Sequence, residues 1–193
     1  MCYWGEEMLL QRDCSLRTLT EGDLTKILNW RNKFEIRQCM FNDSIISIDE
    51  HLDWFNKLKN DPHRMTMIYE YKEKPAGVIN ITQIDKKNSK CYWGFYLGEG
   101  ALPRYSGLAM GYLGLNFIFE KLGINKLCSE VFIFNKSSLK YHQKLGFVEE
   151  GYFKKHVFKY GDYHDIICWA IFNDNWLGKK LDVAKQCFGG EEK

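Results

Sequence analysis

Between Gly100 and Gly123 the chain reads GALPRYSGLAMGYLGLNFIFEKLG, a glycine-bearing loop that leaves an aromatic strand and runs straight into a long apolar-faced helix. This constrains the fold strongly, because such a loop sets a helix N-terminus at the end of a strand. The first turn of a helix leaves four backbone N–H groups without intrahelical partners, and the macrodipole adds roughly half a positive charge there, so phosphate groups bind well. Gly107 lacks a Cβ and lets a ligand approach the main chain, Ala109 keeps that surface low, and Arg104 brings a cationic fork to the loop mouth. Small residues at the start of a helix also serve close packing, so the loop alone leaves both readings open.

The surrounding pattern predicts an α/β chain. A first strand is expected near Met8 to Leu19. Thr20 and Asp23 then stand where an N-cap and a first-turn acid would open a helix running to about Asn32. Asp49 to Lys59 reads as a second helix with Leu52, Phe55 and Leu58 on one face, stopped by Asn60, Asp61 and Pro62. Strands are expected over Met65 to Tyr71, Gly77 to Ile84 and Lys90 to Leu97, with turns at Lys74-Pro75 and at Asp85 to Ser89. After the glycine-led helix come a strand from Lys126 to Phe134, a short helix in NKSSLKYHQKLGF, and a hairpin of Tyr152 to Tyr160 with His164 to Phe172 around Gly161-Asp162. The expectation is one domain over residues 8–178 with a mixed central sheet flanked by helices. Residues 1–7 and 179–193 read as terminal extensions, the second solvated and poorly constrained.

With 193 residues and 45% hydrophobic content the chain can bury one sizeable core. Lys and Arg number 27 against 25 Asp and Glu, a net +2 without a long basic run, which argues against nucleic acid as a partner. The seven cysteines form no CxxC pair and no Cys/His spacing typical of zinc, so no metal is expected and a reducing, cytoplasmic compartment is. No apolar run approaches the ~20 residues that span a bilayer, so no membrane partner is expected, and the opening MCYWGEE lacks a signal-peptide core.

Two segments carry a resemblance. Arg104, Tyr105, Ser106, Gly107, Leu108, Ala109 is similar to the cofactor signature of the GCN5-related N-acetyltransferase (GNAT) superfamily: Arg or Gln, two residues, Gly, one residue, Gly or Ala. The strand ending in Asn135, the short helix with Ser138 and Tyr141, and the closing Lys144, Leu145, Gly146, Phe147 resemble the second half of the same core. The resemblance implies a GNAT-type fold and acetyl-CoA as donor. Its pyrophosphate would lie on the main chain of Arg104 to Ala109, with Ser106, Gly107 and Leu108 between, while Asn135 and Ser138 meet the pantetheine arm and a backbone N–H near Leu97 polarises the thioester carbonyl. It further implies Tyr141 as the acid that protonates the departing thiolate.

Other residues are candidates from their own placement. Glu130 shares a strand face with Cys128, Phe132 and Phe134, and burial there would raise its pKa toward that of a useful base, although an ion pair would explain it as well. Tyr96 is its rival or relay, on the side of Tyr92, Gly94 and Gly98, where the glycines leave room for a ligand. Asn80 and Thr82 put two polar groups on one face of an apolar strand, and Arg31 and His51 complete an acceptor pocket in which Arg31 suits a phosphate or carboxylate. The combination of NWRN, DEHLDWF, GVINITQI and CYWGFYLGE is similar to the N-acetyltransferases of the pseudaminic acid pathway, with Asn80 and Gln83 standing where a serine and a lysine are expected. That implies a UDP-4-amino-4,6-dideoxy-N-acetyl-β-L-altrosamine acceptor held by Arg31, His51 and Thr82. Asp43, Asp49, Glu50 and Asp53 would instead favour a polyamine, and a ribosomal-protein N-terminal acetyltransferase or a non-catalytic acyl-CoA-binding module are further readings. No cysteine stands at a recognisable nucleophile position, so direct transfer is expected. The aromatic hairpin is compatible with a homodimer.

Overall fold

Along Met65–Tyr71 the buried side chains alternate, Met67 and Tyr69 to one side of the sheet and Ile68 to the other, as the period of a strand requires. This strand, β2, therefore separates two cores. The computed structural model describes residues 8–189, so the expected extension 1–7 and the last residues of the tail lie outside the described residues.

Seven strands form one sheet in the order β1-β2-β3-β4-β5-β7-β6: β1 Cys14–Thr18, β2, β3 Lys74–Asp85, β4 Lys90–Leu97, β5 Lys126–Phe132, β6 Val148–Lys159 and β7 Asp162–Phe172. All pairs are antiparallel except β4 with β5. Helices α1 Leu24–Asn32, α2 Phe34–Arg37 and α3 Ile48–Leu58 contribute to the core that receives Ile68 and Val78. On the opposite face α4 Ser106–Asn116, α5 Lys136–Leu145 and α6 Asn173–Phe188 enclose the larger core with Ile79, Ile81, Trp93 and Leu127. The mixed α/β sheet flanked by helices matches the expected fold class.

Several boundaries depart from expectation for local reasons. The first strand begins only at Cys14, after a 3₁₀ turn at Gln11–Asp13. Thr20 and Asp23 do form a capping box, in which the Asp23 carboxylate accepts from the Thr20 backbone N–H at 2.9 Å. In α3 the buried positions are His51 and Phe55, while Leu52 is exposed. The turn between β2 and β3 is made by Lys72 and Glu73, both at positive φ, and Lys74 and Pro75 belong to β3, with Pro75 opposite Glu70 beside a register shift. The last hairpin turns on Tyr160 and Gly161, also at positive φ, so Asp162 already begins β7.

The expectation of a solvated tail from Lys179 is corrected. Helix α6 continues to Phe188 and buries Trp176, Val183, Ala184, Cys187 and Phe188. Trp176 donates its indole N–H to Asn116 at 3.0 Å, Phe188 packs edge-on to Tyr112, and the Leu9 N–H donates to the Cys187 carbonyl at 3.1 Å. No helix among the described residues is long and apolar enough to cross a membrane.

Candidate active site

β4 and β5 pair only through Lys90/Lys126, Cys91/Leu127 and Tyr92/Cys128, and beyond that point the two strands part. The gap opens a cavity of about 410 Å³ whose walls include Gly94 and Phe95 from β4, Ser129 and Glu130 from β5, and Asn135, Ser138 and His142 from α5. Because Gly98 donates to Ala76 of β3, the alternation of the antiparallel ladder turns the N–H groups of Phe95 and Leu97 to the other edge of β4, toward the gap. A Cβ on Gly94 would meet nothing within 4 Å, so the floor here is open.

At the far end of β4, α4 begins behind Tyr105, whose φ of 72° turns the chain into the helix. The Arg104 guanidinium lies 4.9 Å and the Lys144 ammonium 5.5 Å from the Tyr105 ring centre, so two cations flank the loop that opens α4. A Cβ on Gly107 would stand at ordinary contact distance from Leu97 and Tyr141. The Ser106 hydroxyl donates to the Pro103 carbonyl at 2.8 Å and closes the loop, while Leu108 and Ala109 are buried beneath it. A helix N-terminus with flanking cations and an open gap in the sheet fits a polyanionic cofactor with an extended arm.

Tyr141 faces the first turn of α4. Its hydroxyl donates to the Gly107 carbonyl at 2.7 Å in the interior between α5 and α4, where burial holds the phenol well above its ordinary pKa. The next residue, His142, is the one that reaches the cavity wall. Its Nδ1–H donates to the Ser138 carbonyl at 2.8 Å, its Nε2 faces the Trp93 indole N–H at 3.4 Å, and burial pushes its pKa down to about 4. His142 is thus neutral, with the tautomer fixed by the carbonyl that can only accept. Sequence reasoning missed it, although Ser138 one helical turn before it is a readable partner. Asn135 caps α5, its Oδ1 accepting from the Ser138 N–H at 3.1 Å.

Glu130 is half-buried on the wall of the gap, so the expectation of a carboxylate enclosed by apolar neighbours is not met. The two β4 glycines divide: Gly94 leaves space for a ligand, whereas a Cβ on Gly98 would overlap the Trp30 ring, so that glycine makes room for α1.

Arg31, His51, Asn80, Thr82 and Tyr96, expected as one pocket with its relay, all line a second cavity of about 620 Å³ on the α1/α3 side of the sheet. Asn80, Thr82 and Met40 line both cavities, so the two meet there. Arg31 donates through Nη2 to the Asn42 carbonyl at 2.5 Å, while its Nη1 is buried without a hydrogen-bond partner. His51 stacks on Trp54 at 5.0 Å, is held neutral by burial, and also leaves its buried Nε2 without a partner. Burial likewise holds the Tyr96 phenol far above its usual pKa, so it stays protonated. Asn80 accepts from the Thr66 hydroxyl at 2.8 Å, which leaves its amide N–H groups for the cavity.

The acids expected to attract a cation are largely engaged or outside. Asp43 sits 3.8 Å from the Lys159 ammonium, Glu50 caps α3 by accepting from Ser47 at 2.8 Å and reaches the rim of the second cavity, and Asp49 and Asp53 are exposed.

A parallel strand pair that parts over a cavity, with a cation-flanked helix N-terminus at one end, defines an acyl-CoA-dependent acyltransferase. Residues 16–168 match the model of the acetyltransferase (GNAT) domain, and the chain belongs to that family of N-acetyltransferases, which use acetyl-CoA. Among curated relatives, the chain is 32% identical over 127 residues to an uncharacterized N-acetyltransferase, YokL, of Bacillus subtilis, covering 64% of this chain and 70% of that protein. It is 30% identical over 128 residues to the acetyltransferase PseH of Campylobacter jejuni, covering 65% and 77%. The spermidine N-acetyltransferase of Vibrio cholerae, solved in complex with CoA and spermine, shares the fold at a TM-score of 0.81 and 22% identity, covering 86% of this chain and 99% of that one.

Proposed function

We propose that this N-acetyltransferase acetylates the amine of a nucleotide-linked amino sugar, the 4-amino group of UDP-4-amino-4,6-dideoxy-N-acetyl-β-L-altrosamine being the acceptor favoured by the sequence and by the likeness to PseH. The observation that carries the reading is the pair of buried, unpartnered groups, Arg31 Nη1 and His51 Nε2, in the wall of the larger cavity. Buried polar atoms without partners are rare, and a cationic donor beside a neutral imidazole suits a phosphate and its attached sugar better than a polycation.

When bound, acetyl-CoA supplies an activated acyl thioester. In this reading the main chain from Arg104 to Ala109 holds its pyrophosphate, and Asn135 and Ser138 line the path of its arm. The Leu97 N–H, turned into the gap, stabilises charge that develops on the carbonyl oxygen. Glu130 takes one proton of the acceptor ammonium, directly or through water, the freed nitrogen lone pair forms the C–N bond as the carbon–sulfur bond breaks, and the second proton that the nitrogen then sheds passes to water or to the departed thiolate. Tyr96, fixed as a neutral phenol, donates to the acceptor and is not the base. A thiol of ordinary pKa, about 8.5, leaves as thiolate without an enzymic acid, so Tyr141 is assigned to holding α5 on α4.

The test is release of CoA thiol from acetyl-CoA with three acceptors in parallel: the UDP-4-amino sugar, spermidine and a peptide with a free N-terminal amine. Turnover confined to the amino sugar is expected. Turnover with spermidine or peptide alone replaces the acceptor reading, and none with any acceptor leaves an acyl-CoA-binding module.

A further inference from the structure

The segment from Gln38 to Asp43 belongs to no helix or strand, yet it roofs both cavities. Cys39, Met40 and Phe41 line the gap between β4 and β5, and Met40 with Asn42 lines the cavity of Arg31. Cations from separate elements hold the segment by its carbonyls. Arg31 takes that of Asn42 at 2.5 Å, Arg37 takes that of Asp43 at 2.8 Å, and the Lys159 ammonium donates to Met40 at 2.5 Å and to Arg37 at 3.3 Å. Lys159 is the last residue of β6, at the far edge of the sheet, and its side chain is 1% exposed. Its ammonium also lies 5.2 Å from the Phe132 ring centre and 3.8 Å from the Asp43 carboxylate, and Phe41 packs on Phe132 at 5.2 Å.

A buried ammonium loses hydration worth several kcal/mol, and an apolar side chain of similar length would fill the same space without that loss. What the charge provides is a directed donor to the Met40 carbonyl on the loop, a second to the Arg37 carbonyl where the loop leaves α2, and a facing charge for Asp43. Resting on the donor and acceptor assignment above, we infer that Lys159 is a positioning residue for acyl transfer: it fixes the Gln38–Asp43 roof so that Met40 closes the junction of the two cavities. A loose roof leaves the acceptor wall assembled for only part of the time, which weakens acceptor binding by that fraction.

The test compares the full-length wild type with Lys159→Met and Lys159→Arg by amide hydrogen exchange and steady-state kinetics. In Lys159→Met, exchange across residues 38–43 should rise roughly tenfold while β4 and β5 exchange as before. The acceptor KM should rise roughly tenfold with kcat within about threefold and the KM for acetyl-CoA unchanged, and Lys159→Arg should restore most of the loss. Unchanged exchange in the Met variant, faster exchange with an unchanged acceptor KM, or a folded Arg variant no better than Met each overturns the inference. If Lys159→Met does not fold, Met40→Ala opens the junction and leaves the clamp, and an unchanged acceptor KM there overturns it too. If the wild type acetylates none of the three acceptors, the acceptor assignment fails separately. The roof is then read from protection of residues 38–43 by acetyl-CoA, where protection in the wild type that Lys159→Met loses sustains the inference and equal behaviour overturns it.

Discussion

The Tyr141 hydroxyl donates to the Gly107 carbonyl across 2.7 Å and ties α5 to the first turn of α4. Gly111, one turn on, serves the same contact, since a Cβ there would overlap the hydroxyl oxygen. Tyr141→Phe removes one partner of a carbonyl in the fold's interior, a loss of about 1–2 kcal/mol that lowers the melting temperature by roughly 2–8 °C. In thermal melts and steady-state assays, kcat/KM should stay within about tenfold of the wild type, because loss of a general acid would instead lower the rate by about 10²–10⁴. A drop of that size with a normal melt would return Tyr141 to the chemistry.

His142 makes stability depend on pH. Its folded pKa of about 4 lies below the ordinary 6.5, so the unfolded chain takes up a proton first as pH falls. The stabilisation is complete above pH 6.5 and is lost as pH falls toward 4, by up to about 1.4 kcal/mol per pH unit and on the order of 3 kcal/mol in total. Burial lowers the His51 pKa as well, which adds in the same direction. Urea midpoints measured at intervals across this range should fall steadily, and His142→Gln should flatten the slope. An unaltered slope in that variant would place the pH dependence in other groups.

Glu130 stands half-exposed on the wall of the gap, so Glu130→Gln should change stability by no more than about 0.5 kcal/mol. Its kcat/KM should fall by about 10²–10⁴. A variant that keeps its rate would hand the base role to solvent.

Gly94 offers a probe of the gap that leaves the core alone. Since a Cβ there meets no atom within 4 Å, Gly94→Val should fold as the wild type does while its branched side chain enters the cavity. The KM for acetyl-CoA or for the acceptor should rise by roughly tenfold, the loss of about 1.4 kcal/mol of binding. Unchanged kinetics in this variant would place neither ligand in the gap.

Much of this was legible where the deciding contacts are local. The bounds of β2 and β4 follow from alternation bracketed by turn residues, and the loop from Arg104 to Ala109 opens α4 as its glycine and small residues indicate. Asn80, Thr82 and Tyr96 came together because they share one face of the paired strands β3 and β4, a property of backbone period and strand register. What was not legible depends on distant partners. The α6 stripe of Trp176, Val183, Ala184 and Cys187 has helical spacing, but lysines and a glutamine interrupt it, and its partners Tyr112 and Leu9 are far away in sequence. Gly98 could not be distinguished from Gly94, because only the arrival of Trp30 from α1 separates a glycine that packs from one that leaves space. Tyr141 and His142 are adjacent, and the pitch of α5 decides which faces the cavity.

Asn80 and Thr82 belong to the walls of both cavities, so on the sheet side, across from Met40, the thickness of these two side chains divides the two volumes. In the proposed placement of the two substrates, donor and acceptor therefore compete for shared room: each carbon added to the acyl chain at this wall would be withdrawn from the amine's side. Acyl length and acceptor bulk would then be one joint selectivity, and a substitution at either residue would alter the two preferences together.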